Sequence, residues 1–310
     1  MFRLVWLGAL AALFFSTTFV LNRSMSLSGG HWVWSASLRY AFMLPILLAW
    51  TLCTGGPRAV GRAFGLFAEH PVFWTVAGSV GFGVFYAGVT LASVFSPGWV
   101  VATTWQATIL ATPLVLALLG RAVPRKGLAF TALIFCGIVL VNLEQARNGP
   151  DVGSLLGIAA VLVAAVAYPL GNQLVWEARH GGGGRIPRID QPALDAGRTP
   201  TLLLTIGSIP FWLVLVAVAR PPAPSADQVL QTGLVALFSG VIATSIFLRA
   251  RSRATNAYEL AATDATQSLE VVFSLLGETL LLAGPWPGPL GAAGIALAVT
   301  GLVLYVCRQV

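Results

Sequence analysis

Charge is scarce in this chain. Of its 310 residues only 9% are Asp, Glu, Lys or Arg, while 57% are apolar. Ordinary soluble domains carry about 25% charged and about 45–50% apolar residues. The deficit excludes a conventional water-exposed fold: one core does not need so much apolar surface. A bilayer does, because lipid-facing positions must be apolar too. Histidine is equally sparse. His31, His70 and His180 fall in loops or at the edges of apolar runs, and no His-Glu-x-x-His pattern occurs. Metal ligands and a nucleophile–base pair at depth are therefore not expected, and the chain does not read as an enzyme. Cys53, Cys136 and Cys307 lie far apart in or beside apolar runs, which excludes a disulfide framework or metal-ligand spacing and predicts plain buried thiols. The run Gly181-Gly182-Gly183-Gly184 is not followed by Gly-Lys-Ser/Thr, so no nucleotide-binding loop and no cofactor is implied. The net charge of +7 comes from basic residues scattered over short loops, not from a patch, which excludes a nucleic-acid surface.

What is present is a succession of long apolar runs. A spanning helix needs about 20 mostly apolar residues. Ten windows meet or approach this: Leu4–Leu21, Trp32–Leu52, Val72–Leu91, Trp99–Leu119, Leu128–Leu143, Gly153–Trp176, Thr199–Ala219, Val229–Leu248, Leu260–Ala283 and Gly288–Cys307. From Pro71 to Gly120 there is no charge at all, room for two spans with Ser96-Pro97-Gly98 as the turn. Met1 to Val20 resembles a signal peptide, but no small-x-small site follows it, so it is read as a retained first span.

Loop charges set the orientation. With a cytoplasmic N-terminus, the cytoplasmic segments hold Arg3, Arg58, Arg62, Arg121, Arg125, Lys126, Arg179, Arg185, Arg188, Arg198, Arg249, Arg251, Arg253 and Arg308. The opposite side holds only Arg23, Arg147 and Arg220, and Arg39 lies inside a span. One miscounted span would scramble this split, so it supports ten spans with both termini cytoplasmic. The expected location is a cell membrane, the inner membrane of a bacterium.

The two halves echo one another. Gly8, Leu13 and Phe19 correspond to Gly157, Leu162 and Tyr168; Gly81 to Gly240; Gln106 to Gln267; and Gly137 to Gly301, at slowly rising offsets. A duplicated unit with small loop insertions produces such a drift. The expected organisation is a first five-helix repeat over 1–147, an extracytoplasmic connection at 148–152, and a second repeat over 153–310 with a Gly-rich cytoplasmic loop at 177–195. Five spans per repeat is odd, so the second repeat must be inverted, which favours a substrate site near the midplane between the halves.

The stretch Leu269-Glu270-Val271-Val272-Phe273-Ser274-Leu275-Leu276-Gly277-Glu278, followed by Gly291, Gly294 and Gly301, resembles the end of an EamA-type repeat of the drug/metabolite transporter superfamily. Ala12 to Arg23 and Trp34 to Pro45 resemble its multidrug resistance efflux branch. The resemblance implies ten helices, alternating access and export of small organic molecules. The usual Leu-Glu-Pro-Val reads Leu-Glu-Val-Val here, so a proline kink in the ninth helix is not implied. The first span carries no acid, so the coupling carboxylate of small four-helix relatives has no counterpart in it.

The ninth window carries the chemistry. Asp264, Gln267, Glu270, Ser274 and Glu278 fall within about 120° of one helical face. Glu270 lies roughly 16 Å past Glu259, near mid-membrane, where it reads as a proton or cation site or as a structural carboxylate bonded to a neighbour. Asp264 and Glu278 lie nearer the ends, where interfacial solvation is expected. Arg39, the one base well inside a span, reads as a substrate anion clamp, as counter-ion to an acid of the ninth helix, or as a snorkelling side chain. Trp105 and Gln106 are pocket candidates, with Tyr86, Asn22 and Tyr168 beside them. Pro45, Pro113, Pro169 and Pro210 are expected to kink their helices, Trp74 and Trp99 are among the expected interfacial anchors, and Gly153-x-x-x-Gly157 allows close helix packing. The expectation is thus an all-α polytopic transporter of ten transmembrane helices in a 5+5 inverted repeat. It exports small organic or amphipathic solutes, with protons as a candidate coupling ion, as monomer or homodimer in the bilayer. The alternatives are an uncoupled facilitator or exchanger of small metabolites with the same fold, an intramembrane enzyme and a membrane scaffold.

Overall fold

A computed structural model describes residues 2–120, 128–147, 152–181, 184, 186–195, 197–253 and 257–308. The connection at 148–151, much of the Gly-rich run, and Arg121, Arg125, Lys126 and Arg185 lie outside the described residues.

The described chain is built from ten long helical segments: α1 (Phe2–Leu27), α2 (Trp32–Glu69), α3 (Pro71–Phe95), α4 (Gly98–Leu118), α5 (Leu128–Arg147), α6 (Val152–His180), α7 (Arg198–Ala219), α8 (226–252), α9 (257–282) and α10 (Pro289–Arg308). Nine of them contain a stretch long and apolar enough to cross a membrane by length and composition, and α10 supplies the shorter apolar stretch Pro289–Tyr305. The protein is a multi-pass α-helical membrane protein. The turn at Ser96-Pro97 falls where the sequence places it: Ser96 is extended and Pro97 opens α4. The spanning part of α2 ends at Gly56, whose φ of 68° breaks the helix before it resumes at Pro57.

In lipid the hydrophobic effect does not drive helices together, so small residues and interhelical hydrogen bonds must. The packing shows this. A Cβ on Gly207 would stand 2.0 Å from the Trp74 carbonyl oxygen, joining α7 to α3. One on Gly171 would stand 2.3 Å from the Cα of Gly81, joining α6 to α3. Gly153 and Gly157 face Phe95 and Ser96 of this same chain.

The pairing of helices is nearly unchanged when first-half and second-half numbers are exchanged. α5 packs along α10 and α2 along α7; α3 packs on α6 and α7 as α8 packs on α1 and α2; α4 packs on α6 as α9 packs on α1. The interruptions match as well. α3 winds wider over Ser79–Val84, around Gly81, and α8 does so over Ala236–Ala243, around Gly240. α4 breaks at Gln106, and α9 tightens at Thr266–Ser268, around Gln267. These interruptions, rather than the prolines, are where the helical ladder departs from the α form: α-helix runs unbroken through Pro45, Pro113, Pro169 and Pro210. α9 is interrupted just before Leu269-Glu270 although no proline stands there.

Two expectations are corrected. Trp74 and Trp99 are buried, not interfacial; the Trp74 indole donates to the Leu66 carbonyl at 3.0 Å. All three cysteines are exposed on the outside of the bundle, because they lie on helix faces turned from the core, which lipid rather than protein must cover.

Candidate functional site

A cavity of about 850 Å³ runs through the centre of the bundle. Nine of the ten helices, all but α5, line it through their middle turns or the ends on one side, α10 with Leu302 and Tyr305 near its C-terminus. Consecutive spans alternate in direction, so the end of α4 (Pro113, Leu116), the start of α7 (Gly197, Thr201) and the end of α8 (Thr244, Phe247) share one face with Phe2. The cavity reaches that face. Among the described residues, none from the opposite ends of the helices lines it.

Seven of the nine residues singled out from the sequence line this space: Arg39, Trp105, Gln106, Tyr168, Asp264, Gln267 and Glu270. The interruptions of α4 and α9 fall at Gln106 and Gln267, and both residues line the cavity. Asn22 and Tyr86 do not line it. They form a buried layer behind the wall, with the Asn22 amide donating to the Tyr86 hydroxyl at 3.1 Å.

That layer supports Arg39. Its side chain does not snorkel: the residue is 7% exposed. The guanidinium carbon lies 4.1 Å from the Tyr86 ring centroid, and Nη2 donates to Ser239 Oγ at 3.2 Å. Ser239 in turn accepts from Thr18 at 2.6 Å. The Arg39 Nε has no hydrogen-bond partner. A cation at this depth is held by the π faces of Tyr86 and, at 5.9 Å, Tyr40, and by one hydroxyl, which is weak compensation for lost hydration.

Glu270 is 8% exposed and lines the same cavity. Its carboxylate makes no hydrogen bond or ion pair with a described residue, and no Arg39–Glu270 ion pair forms. The counter-ion reading of Arg39 is thus corrected. The Gln267 amide nitrogen also lacks a partner. Asp264 lies toward the open end and interacts with another group. Aromatic rings complete the walls. Phe85 lies 4.9 Å from both Trp105 and Tyr168, and Tyr40 stacks on Trp212 at 5.1 Å.

The far end of the bundle is closed by a network the sequence reading missed. Glu278, expected at a solvated interface, is 4% exposed. It accepts the Trp99 N–H at 3.2 Å at the start of α4 and pairs with Arg23 at 3.9 Å. Arg23 also donates to the carbonyls of Ser93 and Val94, each at 3.1 Å. One ion pair therefore ties α1, α3, α4 and α9 together. Its sequence signal was present: Arg23 and Glu278 are opposite charges near the same membrane face. Glu144 caps α10 similarly, accepting from the N–H groups of Gly288 and Gly291 at 2.8 and 2.7 Å. Among the described residues no cluster of three His, Cys, Asp or Glu side chains is disposed to hold a metal.

Residues 2–310 match the family model described as "EmrE: Putative multidrug resistance efflux transporter". The chain is 37% identical to "Uncharacterized protein YjlA" of Bacillus subtilis (strain 168), over 98% of this chain and 94% of the relative. It is also 37% identical to an "Uncharacterized 42.1 kDa protein in intracellular alkaline protease 3'region" of Shouchella clausii, over 80% of this chain and 64% of that protein. A solved structure titled "Crystal structure of protein" superposes with a TM-score of 0.60 at 15% identity, covering 97% of this chain and 96% of the other, a likeness of fold.

Proposed function

The chain belongs to the multidrug resistance efflux transporter family, and from that premise we propose that it is a secondary transporter which exports small organic or amphipathic solutes by alternating access through the central cavity. The observation that carries this reading is one cavity, lined by Glu270, Arg39 and aromatic rings, that reaches a single face while the Arg23–Glu278 network closes the other. That is the geometry of one end state of an alternating-access cycle. The 1–147 and 153–310 halves act as inverted repeats in this proposal. Their exchangeable helix pairings and the matched interruptions at Gly81 and Gly240, and at Gln106 and Gln267, support it. The basic loops assign the open face to the cytoplasm.

Glu270 is the proposed proton site, because a carboxylate buried in a cavity without a partner is costly unless it binds something. The purified protein in proteoliposomes, loaded with a solute panel, is expected to show solute efflux that accelerates under an inward proton gradient. Glu270→Gln is expected to remove the acceleration by the gradient. Unchanged gradient-driven flux in that variant would favour an uncoupled facilitator. No flux of any solute would overturn the transporter reading.

A further inference from the structure

We propose that the cavity selects zwitterionic solutes with a flat aromatic body, the anionic end held by Arg39 and the cationic end by Glu270. This rests on the transport reading above and specifies its substrate class.

A guanidinium and a carboxyl group line one cavity, each more than nine-tenths buried, and no ion pair joins them. Arg39 has one hydroxyl, two ring faces and a free Nε; Glu270 has no protein partner among the described residues. A protein that only had to fold would bring them together or omit both, since a buried unpaired charge is expensive. A purely cationic solute would meet Glu270 favourably but bring its charge to a wall that already carries a guanidinium. A purely anionic solute would face the converse. Only a solute with both charges satisfies both side chains. The two charges also differ in depth. Arg39 lies seven residues from the start of α2 and Glu270 twelve from the end of α9, both counted from the closed face. At about 1.5 Å per residue their backbones differ by roughly 8 Å along the membrane normal. The ligand's charges should therefore sit at opposite ends of a rigid spacer, and the Phe85–Trp105–Tyr168 cluster provides the surface on which a ring spacer would lie.

The test uses three probes of matched shape: para-aminoethylbenzoate (zwitterion), para-aminoethylbenzamide (cation) and para-hydroxyethylbenzoate (anion). Binding to the purified full-length protein and counterflow in proteoliposomes are measured for each. The zwitterion is expected to bind roughly tenfold or more tightly than either analogue, the scale of one charge-assisted contact. Arg39→Gln is expected to abolish its advantage over the cation, and Glu270→Gln its advantage over the anion. Either analogue matching the zwitterion in the unsubstituted protein would overturn the proposal, as would a zwitterion preference that survives both substitutions, or absence of zwitterion binding. Flux of the cation without the zwitterion would leave the transport reading standing while removing this one. Tight zwitterion binding without counterflow of any probe would do the reverse.

Discussion

Arg39 is placed by neighbours rather than by a counter-ion. Tyr86 lies beneath its guanidinium and is itself held by Asn22, so these two buried residues act on the cavity from behind its wall. Tyr86→Phe keeps the ring and should change solute affinity little. Tyr86→Leu removes the π face, a contact worth about 2 kcal/mol when desolvated, and should lower affinity by more than tenfold; isothermal titration of both variants with any transported solute checks this. Seven of the nine residues singled out from the sequence reach the cavity because charge and amide groups inside apolar runs have few physical alternatives. Asn22 and Tyr86 carried the same signal, yet they satisfy one another. Pairing across helices distant in sequence is not visible in a single chain. Tyr40, Phe85 and Ser239 were illegible for another reason: an aromatic or a serine in an apolar helix looks the same whether it faces lipid, core or cavity.

At the level of helices, the ten apolar segments were legible from composition alone, and the turn at Ser96-Pro97-Gly98 was placed correctly. Their irregularities were not. Proline is the obvious breaker in sequence, but α-helix continues through all four mid-span prolines, while the wide turns in α3 and α8 centre on Gly81 and Gly240 and the breaks in α4 and α9 on Gln106 and Gln267. Those pairs were found as repeat correspondences, not as structural breaks. Close approach at α3–α7 carries its own prediction. Gly207→Leu would drive a side chain into the Trp74 backbone. It should destabilise the folded protein by about 3 kcal/mol or more, seen as a lower melting temperature in detergent, whereas Gly61→Leu, where nothing lies within 4 Å, should be neutral. Glu278 joins α9 to α4 and α1 at the closed end. Glu278→Leu leaves Arg23 without its counter-ion and the Trp99 N–H without its acceptor. It should raise hydrogen exchange at the ends of α1 and α4 and reduce solute flux, measured by exchange mass spectrometry and proteoliposome transport.

The whole molecule is a bundle whose centre is polar and hollow toward one face and sealed at the other. Sequence foretold the number of spans and the polar stripe. It did not foretell which face stands open, because that depends on packing between helices distant in sequence. The most direct test is the sidedness of access to the cavity. With the exposed Cys53, Cys136 and Cys307 replaced by serine, Gln267→Cys places one thiol on the cavity wall. A membrane-impermeant maleimide added at the Phe2 face should label it in the resting protein, while the same reagent at the opposite face should label it only when transported solute is present. Labelling from the opposite face at rest, or from neither face under turnover, would contradict alternating access through this cavity.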